Sequence, residues 1–183
     1  MSRRTGEPDE SASRDNPESD PVEVARAIAL RQLTLGPRSR AQLAQAMSKR
    51  NVPDDVAEVV LNRFEEIGLI NDAEFARTVV RSQQAERGLA KRALRFELTK
   101  RGVGDDDMRT ALEDVSAEDE LASARHLVAK KLRSMSGLER DVQIRRLAGM
   151  LARKGYGPGT AMSVIREVLF QHDAEAFQEL PEL

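Results

Sequence analysis

Apolar side chains recur three and four positions apart from about residue 22 to residue 170, the spacing of helical faces rather than of strands. Leu43 and Met47, Leu94 and Leu98, and Leu147 and Leu151 are pairs of this kind, each set on one face of a helix. Breaks fall at Gly36-Pro37, Pro53, Gly68, Gly88, Gly102, Gly104, Gly137, Gly155 and Gly157-Pro158-Gly159. The pattern predicts nine helices of roughly 11 to 17 residues and no strands.

The helices repeat as a set. Glu23-Val24-Ala25-Arg26 returns 51 residues later as Glu74-Phe75-Ala76-Arg77, and more faintly as Glu120-Leu121-Ala122. Leu43, Met47 and Lys49-Arg50-Asn51-Val52 correspond at the same offset to Leu94, Leu98 and Lys100-Arg101-Gly102-Val103. They correspond again, 53 residues on, to Leu147, Leu151 and Arg153-Lys154-Gly155-Tyr156. Val60-Leu61, Ala111-Leu112 and Val164-Ile165 are the matching third helices. The expected architecture is all-α: three tandem three-helix, helix-turn-helix-like repeats at 20–70, 71–115 and 116–170, in an elongated, curved arrangement. From repeat two to repeat three the offset grows from 46 at the first helices to 53 at the second, so an insertion of about seven residues is expected near Ser134 to Arg140, around Gly137.

Helix ends carry their own signals. Asp20-Pro21 with Glu23, Asn71 with Glu74, and Ser39 with Gln42 are spaced as capping boxes. Asn51, Gly102 and Gly155 share one repeat position and are residue types that accept the left-handed conformation closing a helix.

Charge is uneven along the 183 residues. Residues 1–21 sum to −3 and residues 171–183 to −4, which leaves the middle at +5. Residues 1–19 are too polar to offset ordering entropy and are expected to form a disordered acidic tail, with a second acidic tail, prone to fray, at 171–183. Cysteine is absent, which excludes disulfides, thiolate metal sites and a cysteine nucleophile. No apolar run reaches the roughly 18 residues of a bilayer span and the start resembles no signal peptide, so a soluble, cytoplasmic protein of bacterial type is expected.

Enzyme chemistry has no foothold in the sequence. His126 and His172 are the only histidines, neither beside a second ligand or a nucleophile motif. Gly155 to Gly159 lacks the Lys-Ser or Lys-Thr of a phosphate loop and reads as a helix stop and restart. Asp105 to Asp107 and Glu118 to Glu120 fall at predicted helix N-termini, where the macrodipole favours negative charge; a hard-cation site is the alternative reading of that acidic cluster. No catalytic residue, cofactor or metal is therefore assigned.

Cations are the informative group. Eight lie between Arg77 and Arg101 against two acids. The second helix of the first repeat carries Arg38, Arg40, Lys49 and Arg50, and that of the third Arg145, Arg146, Arg153 and Lys154. Stacked in register, the repeats would present one basic stripe suited to a polyanion or an acidic protein groove. Base readout is disfavoured because Asn and Gln are sparse on these helices. Single-strand stacking is disfavoured because the six aromatics mostly occupy core-like positions.

Gly68-Leu69-Ile70-Asn71-Asp72-Ala73-Glu74-Phe75-Ala76, then Arg87-Gly88, then Leu94 to Gly102-Val103, resembles the signature of RecX proteins, regulators of the bacterial RecA recombinase. The resemblance spans about residues 22 to 170. It implies a non-enzymatic, monomeric regulator that binds the RecA–DNA filament and restrains filament growth, ATP hydrolysis, strand exchange and co-protease activity, with sequence-nonspecific single- or double-stranded DNA contact associated. A DNA-binding protein acting without the recombinase is the alternative, and an inert helical scaffold a third. Within the matched string, Leu69, Ile70 and Phe75 are expected to seal the junction of repeats one and two, with Asn71 or Asp72 as cap. Arg81, Arg87, Lys91, Arg92, Arg95, Lys100 and Arg101 are the expected partner contacts, with Gly88 permitting close approach.

Overall fold

The computed structural model describes residues 20–178; the expected disordered tail at 1–19 and the last five residues of the chain lie outside the described residues. Nine α-helices and one 3₁₀ turn make up the described residues, in three successive trios. The first trio is α1 (Pro21–Thr34), α2 (Arg40–Ser48) and α3 (Asp54–Glu66); the second is α4 (Asp72–Arg87), α5 (Lys91–Lys100) and α6 (Asp105–Glu113). The third is α7 (Ala117–Leu132), α8 (Arg140–Arg153) and α9 (Pro158–Gln178), with the 3₁₀ turn at Arg133–Met135.

Lengths depart from expectation at both extremes. α2, α5 and α6 have only 9, 10 and 9 residues, while α9 has 21. Each second helix is stopped by a left-handed residue, with φ of 59° at Asn51, 73° at Gly102 and 93° at Gly155; α2 and α5 are short because they also start late, whereas α8 starts a turn earlier and has 14 residues. α9 is long because no Gly or Pro interrupts it, and its extension is tied down. The Arg140 guanidinium of α8 donates to both carboxylate oxygens of Asp173 at 2.6 and 2.5 Å. Residues 171–178, expected as the start of a tail, thus continue the helix. The insertion of the third repeat is shared between the 133–139 connection, where the 3₁₀ turn sits, and an extra turn at the start of α8.

Capping follows the sequence, with two exceptions in its reciprocal arm. Ser39 and Gln42 form a full capping box, as do Ser116 and Asp119. Asp20 and Asn71 cap their helices, but the carboxylates that would complete each box are drawn away: Glu23 pairs with Arg26 and Glu74 with Arg81, both at 2.9 Å. A guanidinium one turn on, as Arg26 is, or two turns on, as Arg81 is, is a stronger donor to a carboxylate than an exposed backbone N–H.

Each trio closes its own apolar core. Leu43, Met47, Leu61 and Phe64 centre the first, Leu94, Leu98, Met108 and Val115 the second, and Val128, Leu147, Leu151 and Ile165 the third. Three small cores in chain order give an elongated array in which neighbours must be coupled by specific joints.

Those joints are built the same way twice. At the first, the Ser39 hydroxyl donates to the Arg101 carbonyl at 2.5 Å, the Arg40 N–H donates to the Asp72 carboxylate at 2.8 Å, and Gly102 lies flat on Ala41. At the second, the Ala90 N–H donates to the Lys154 carbonyl at 2.9 Å, the Lys91 N–H donates to Glu120 at 2.7 Å, and Gly155 lies on Ala93. In each, the start of a second helix docks on the C-terminal turn of the next repeat's second helix, capped by an acid from the next repeat's first helix. The α8, α5 and α2 dipoles therefore run head to tail, negative end against positive.

Asp72 carries an electrostatic cost in this role. Burial raises its pKa above the ordinary carboxylate range, outweighing the hydrogen bond from Arg40 that lowers it. A carboxyl whose folded pKa is raised binds more protons folded than unfolded, so this residue's contribution falls as pH rises through the window above about pH 4. Asp72→Asn, which keeps an oxygen for the Arg40 N–H, is expected to flatten that part of the stability profile. Thermal melts across the acid range check it, an unchanged slope being the contrary result.

Candidate functional site

The head-to-tail row of second helices also organises the cations. Lys49, Lys100 and Arg153 occupy the same repeat position, near the C-terminus of α2, α5 and α8 respectively. Three clefts run along the row. One of about 520 Å³ lies between α5 and α8, lined by Arg92, Arg95, Phe96 and Arg153 among others. A second of about 210 Å³ lies between α2 and α5 beside Lys100 and Arg101, and a third of about 360 Å³ lies beside Arg38, Lys49 and Arg50. Thr99 lines both the first and second, and Gln42 and Gln45 line both the second and third, so the three lie side by side along the row. Among the described residues no acid lines any of them.

Of the expected contacts, the structure brings Arg92, Arg95, Lys100 and Arg101 onto this groove. Arg92, Arg95 and Lys100 are exposed and make no ion pair among the described residues. Arg101 is partly covered and lies 4.0 Å from Glu97. Lys91 sits at the joint, its backbone held by Glu120 and its side chain half-buried. Arg87 lines none of the three clefts and faces Glu97 at 3.7 Å. Arg81 lies on α4, where Glu74 and Thr78 accept from it at 2.9 and 3.1 Å.

Two members of the expected stripe serve inside the fold instead. Arg40 is clamped by Glu58, Asn62 and Glu65 of α3 at 2.6, 2.8 and 2.7 Å. The Lys154 ammonium donates to the Arg87 carbonyl, and burial, with Arg87 and Lys130 nearby, pushes its pKa down. Gly88 does permit close approach, but to this chain's own third repeat: a Cβ there would stand 2.8 Å from Leu127, and the Tyr156 hydroxyl donates to the Gly88 carbonyl at 3.1 Å. Of the expected junction seal, Ile70 and Phe75 are buried, in the first and second cores, whereas Leu69 is 46% exposed. It sits in the turn between Gly68 and α4, beyond the reach of either core.

The aromatics divide differently from expectation. Phe64, Phe75 and Tyr156 are core residues, but Phe96 is 68% and Phe170 76% exposed; the side chain of Phe177 lies outside the described residues. Phe96 lies about 200° around α5 from Leu94, since successive residues turn by about 100°. Its position two residues from each of two core leucines was the signal in the sequence that placed it on the outer face.

Among the described residues, no group of three or more His, Asp or Glu is placed to hold a metal ion, and no helix is long and apolar enough to cross a membrane. The acids at 105–107 and 118–120 occupy the first turns of α6 and α7. Hydrogen bonds from Ser116 hold the Asp119 carboxyl below its ordinary pKa.

Comparison with known proteins agrees with the repeat structure. Family models described as the first, second and third three-helix domains of RecX match residues 25–64, 71–112 and 118–169. A regulatory protein RecX from Streptomyces coelicolor is 53% identical over 158 residues, covering 86% of this chain and 84% of that protein. One from Thermobifida fusca is 48% identical, covering 86% and 85%. The crystal structure of RecX from Lactobacillus salivarius superposes with a TM-score of 0.73 at 19% identity, over 82% of this chain and 98% of that one. With all three repeats matched in order, and curated relatives at this identity over most of its length, the chain belongs to the RecX family of regulatory proteins.

Proposed function

We propose that this protein is a non-catalytic, monomeric, cytoplasmic negative regulator of RecA recombinase, lying along the RecA–DNA filament through its row of second helices. The observation that carries the reading is the row of three adjoining clefts, with Lys49, Lys100 and Arg153 repeated along it, Arg92 and Arg95 between, and no acid among the described lining residues. α5 and α2 together extend about 30 Å, a span that reaches across protomers of a filament rather than filling one pocket. A ligand of this shape favours one filament state over another by differential affinity, and so restrains ATP hydrolysis, strand exchange and co-protease activity without chemistry of its own. Weak contacts on three linked repeats reinforce one another through effective concentration.

The same groove supports a second reading, in which the protein binds DNA without regard to sequence and acts without the recombinase. Titrating the protein at substoichiometric dose into a RecA ATPase and strand-exchange assay separates them. Inhibition that persists in a large excess of free DNA supports filament binding; inhibition relieved in proportion to added DNA supports competition for DNA and overturns the first reading.

A further inference from the structure

The α5–α8 cleft differs from the rest of the groove in having an apolar anchor point. It is lined by the small residues Ala93, Ala152 and Gly155, by Thr99, by the exposed ring of Phe96 and by Arg92, Arg95 and Arg153. Exposing that ring to water is unfavourable, and aromatic and arginine side chains together are what interface centres are enriched in. The volume of about 520 Å³ accommodates one or two side chains, not a folded domain.

The lining discriminates between partners. Sequence-tolerant single-strand binding needs a succession of stacking platforms, and the positions equivalent to Phe96 in the other repeats are Gln45 and Gly149. One aromatic without repetition suits a single apolar anchor. Three lining cations, and no acid among the described lining residues, suit carboxylates on either side of that anchor. Gly155, whose missing Cβ lets α8 approach Ala93, leaves that part of the lining to backbone and small side chains.

We infer that the cleft between α5 and α8 is a docking site for an acidic peptide segment carrying one aromatic or large aliphatic anchor, seated against Phe96 with its carboxylates on Arg92, Arg95 and Arg153. The site is argued from its own lining and is tested without recombinase, so its failure leaves the filament reading standing.

The test is fluorescence anisotropy on the full chain, using a labelled peptide of Asp, Glu, Gly and Ser with one central Phe. The comparison ligands are the same peptide with Gly at the centre and a labelled oligothymidylate of about the same length. The Phe peptide is expected to bind at least roughly tenfold more tightly than the Gly peptide, with that advantage lost in Phe96→Ala. Arg92→Ala with Arg153→Ala is expected to weaken the Phe peptide and flatten its salt dependence while retaining the preference for Phe. Phe96 is exposed, so melting of the variant should match the parent. Equal affinity for the two peptides, an unchanged preference in Phe96→Ala, or a Phe96-dependent oligonucleotide affinity exceeding that of the Phe peptide would each overturn the proposal.

Discussion

Gly102→Ala is expected to lower stability by about 2 to 5 kcal/mol. Two costs combine. Gly102 has φ of +73°, a conformation that disfavours a side chain by about 1 to 2 kcal/mol. An added Cβ would also stand 2.3 Å from the Cβ of Ala41, so α2 and α5 must part, disturbing the Ser39–Arg101 and Arg40–Asp72 bonds of the same joint. Gly102→Asn separates the two terms. The equivalent Asn51 holds φ of +59° with a side chain present, and among the described residues no second helix docks on it. Asparagine at 102 would relieve much of the backbone strain and none of the clash. Calorimetry should show both variants losing cooperativity between the first and second repeats; a Gly102→Asn protein that melts like the parent would mean the contact is unimportant. Gly155 is expected to behave alike, its Cβ falling 2.7 Å from the backbone nitrogen of Ala93.

Replacing Arg92, Arg95, Lys100 and Arg153 together with alanine is expected to lower inhibition of the recombinase by at least tenfold while leaving the fold intact. Among the described residues none of the four takes part in an ion pair, and each lies at the groove. Their removal therefore costs the folded state little, and relieves mutual repulsion. If the groove meets phosphates, the slope of log affinity against log salt should fall by about 3. Arg81→Ala and Arg87→Ala make the comparison: each guanidinium has a carboxylate on its own chain, Glu74 at 2.9 Å and Glu97 at 3.7 Å, which must be released before a partner is met. They are expected to weaken inhibition less than Arg92→Ala. Dose-response curves for ATP hydrolysis decide it, and full inhibition by the quadruple variant would remove the groove from the interface.

Three coupled trios supply length, and the joints supply the stiffness that keeps distant cations in register. Gly102 and Gly155 are the positions where a neighbouring second helix docks, whereas Asn51 carries a side chain at the same repeat position and no second helix docks on it among the described residues.

Local chemistry was legible in the amino-acid order because its range is a few residues. Helical spacing, the Ser39 box and the left-handed stops at Asn51, Gly102 and Gly155 depend on partners within about one turn, and threefold repetition made the spacing and the stops visible three times. Allocation of the cations was not legible, since Arg40, Lys154, Lys100 and Arg153 look alike in sequence. Their fates differ because α3 places three acceptors around Arg40 and the second joint covers Lys154, while nothing among the described residues covers the other two. Likewise the acids that cap α2 and α5 come from 32 and 29 residues away, and the cleft beside Phe96 exists only where two repeats meet. The sequence by itself determined which helices form and that they come in threes, through contacts local to each turn. Which charges remain free to meet a partner was decided by packing between repeats, because long-range contacts spend some cations on the fold and leave the rest exposed.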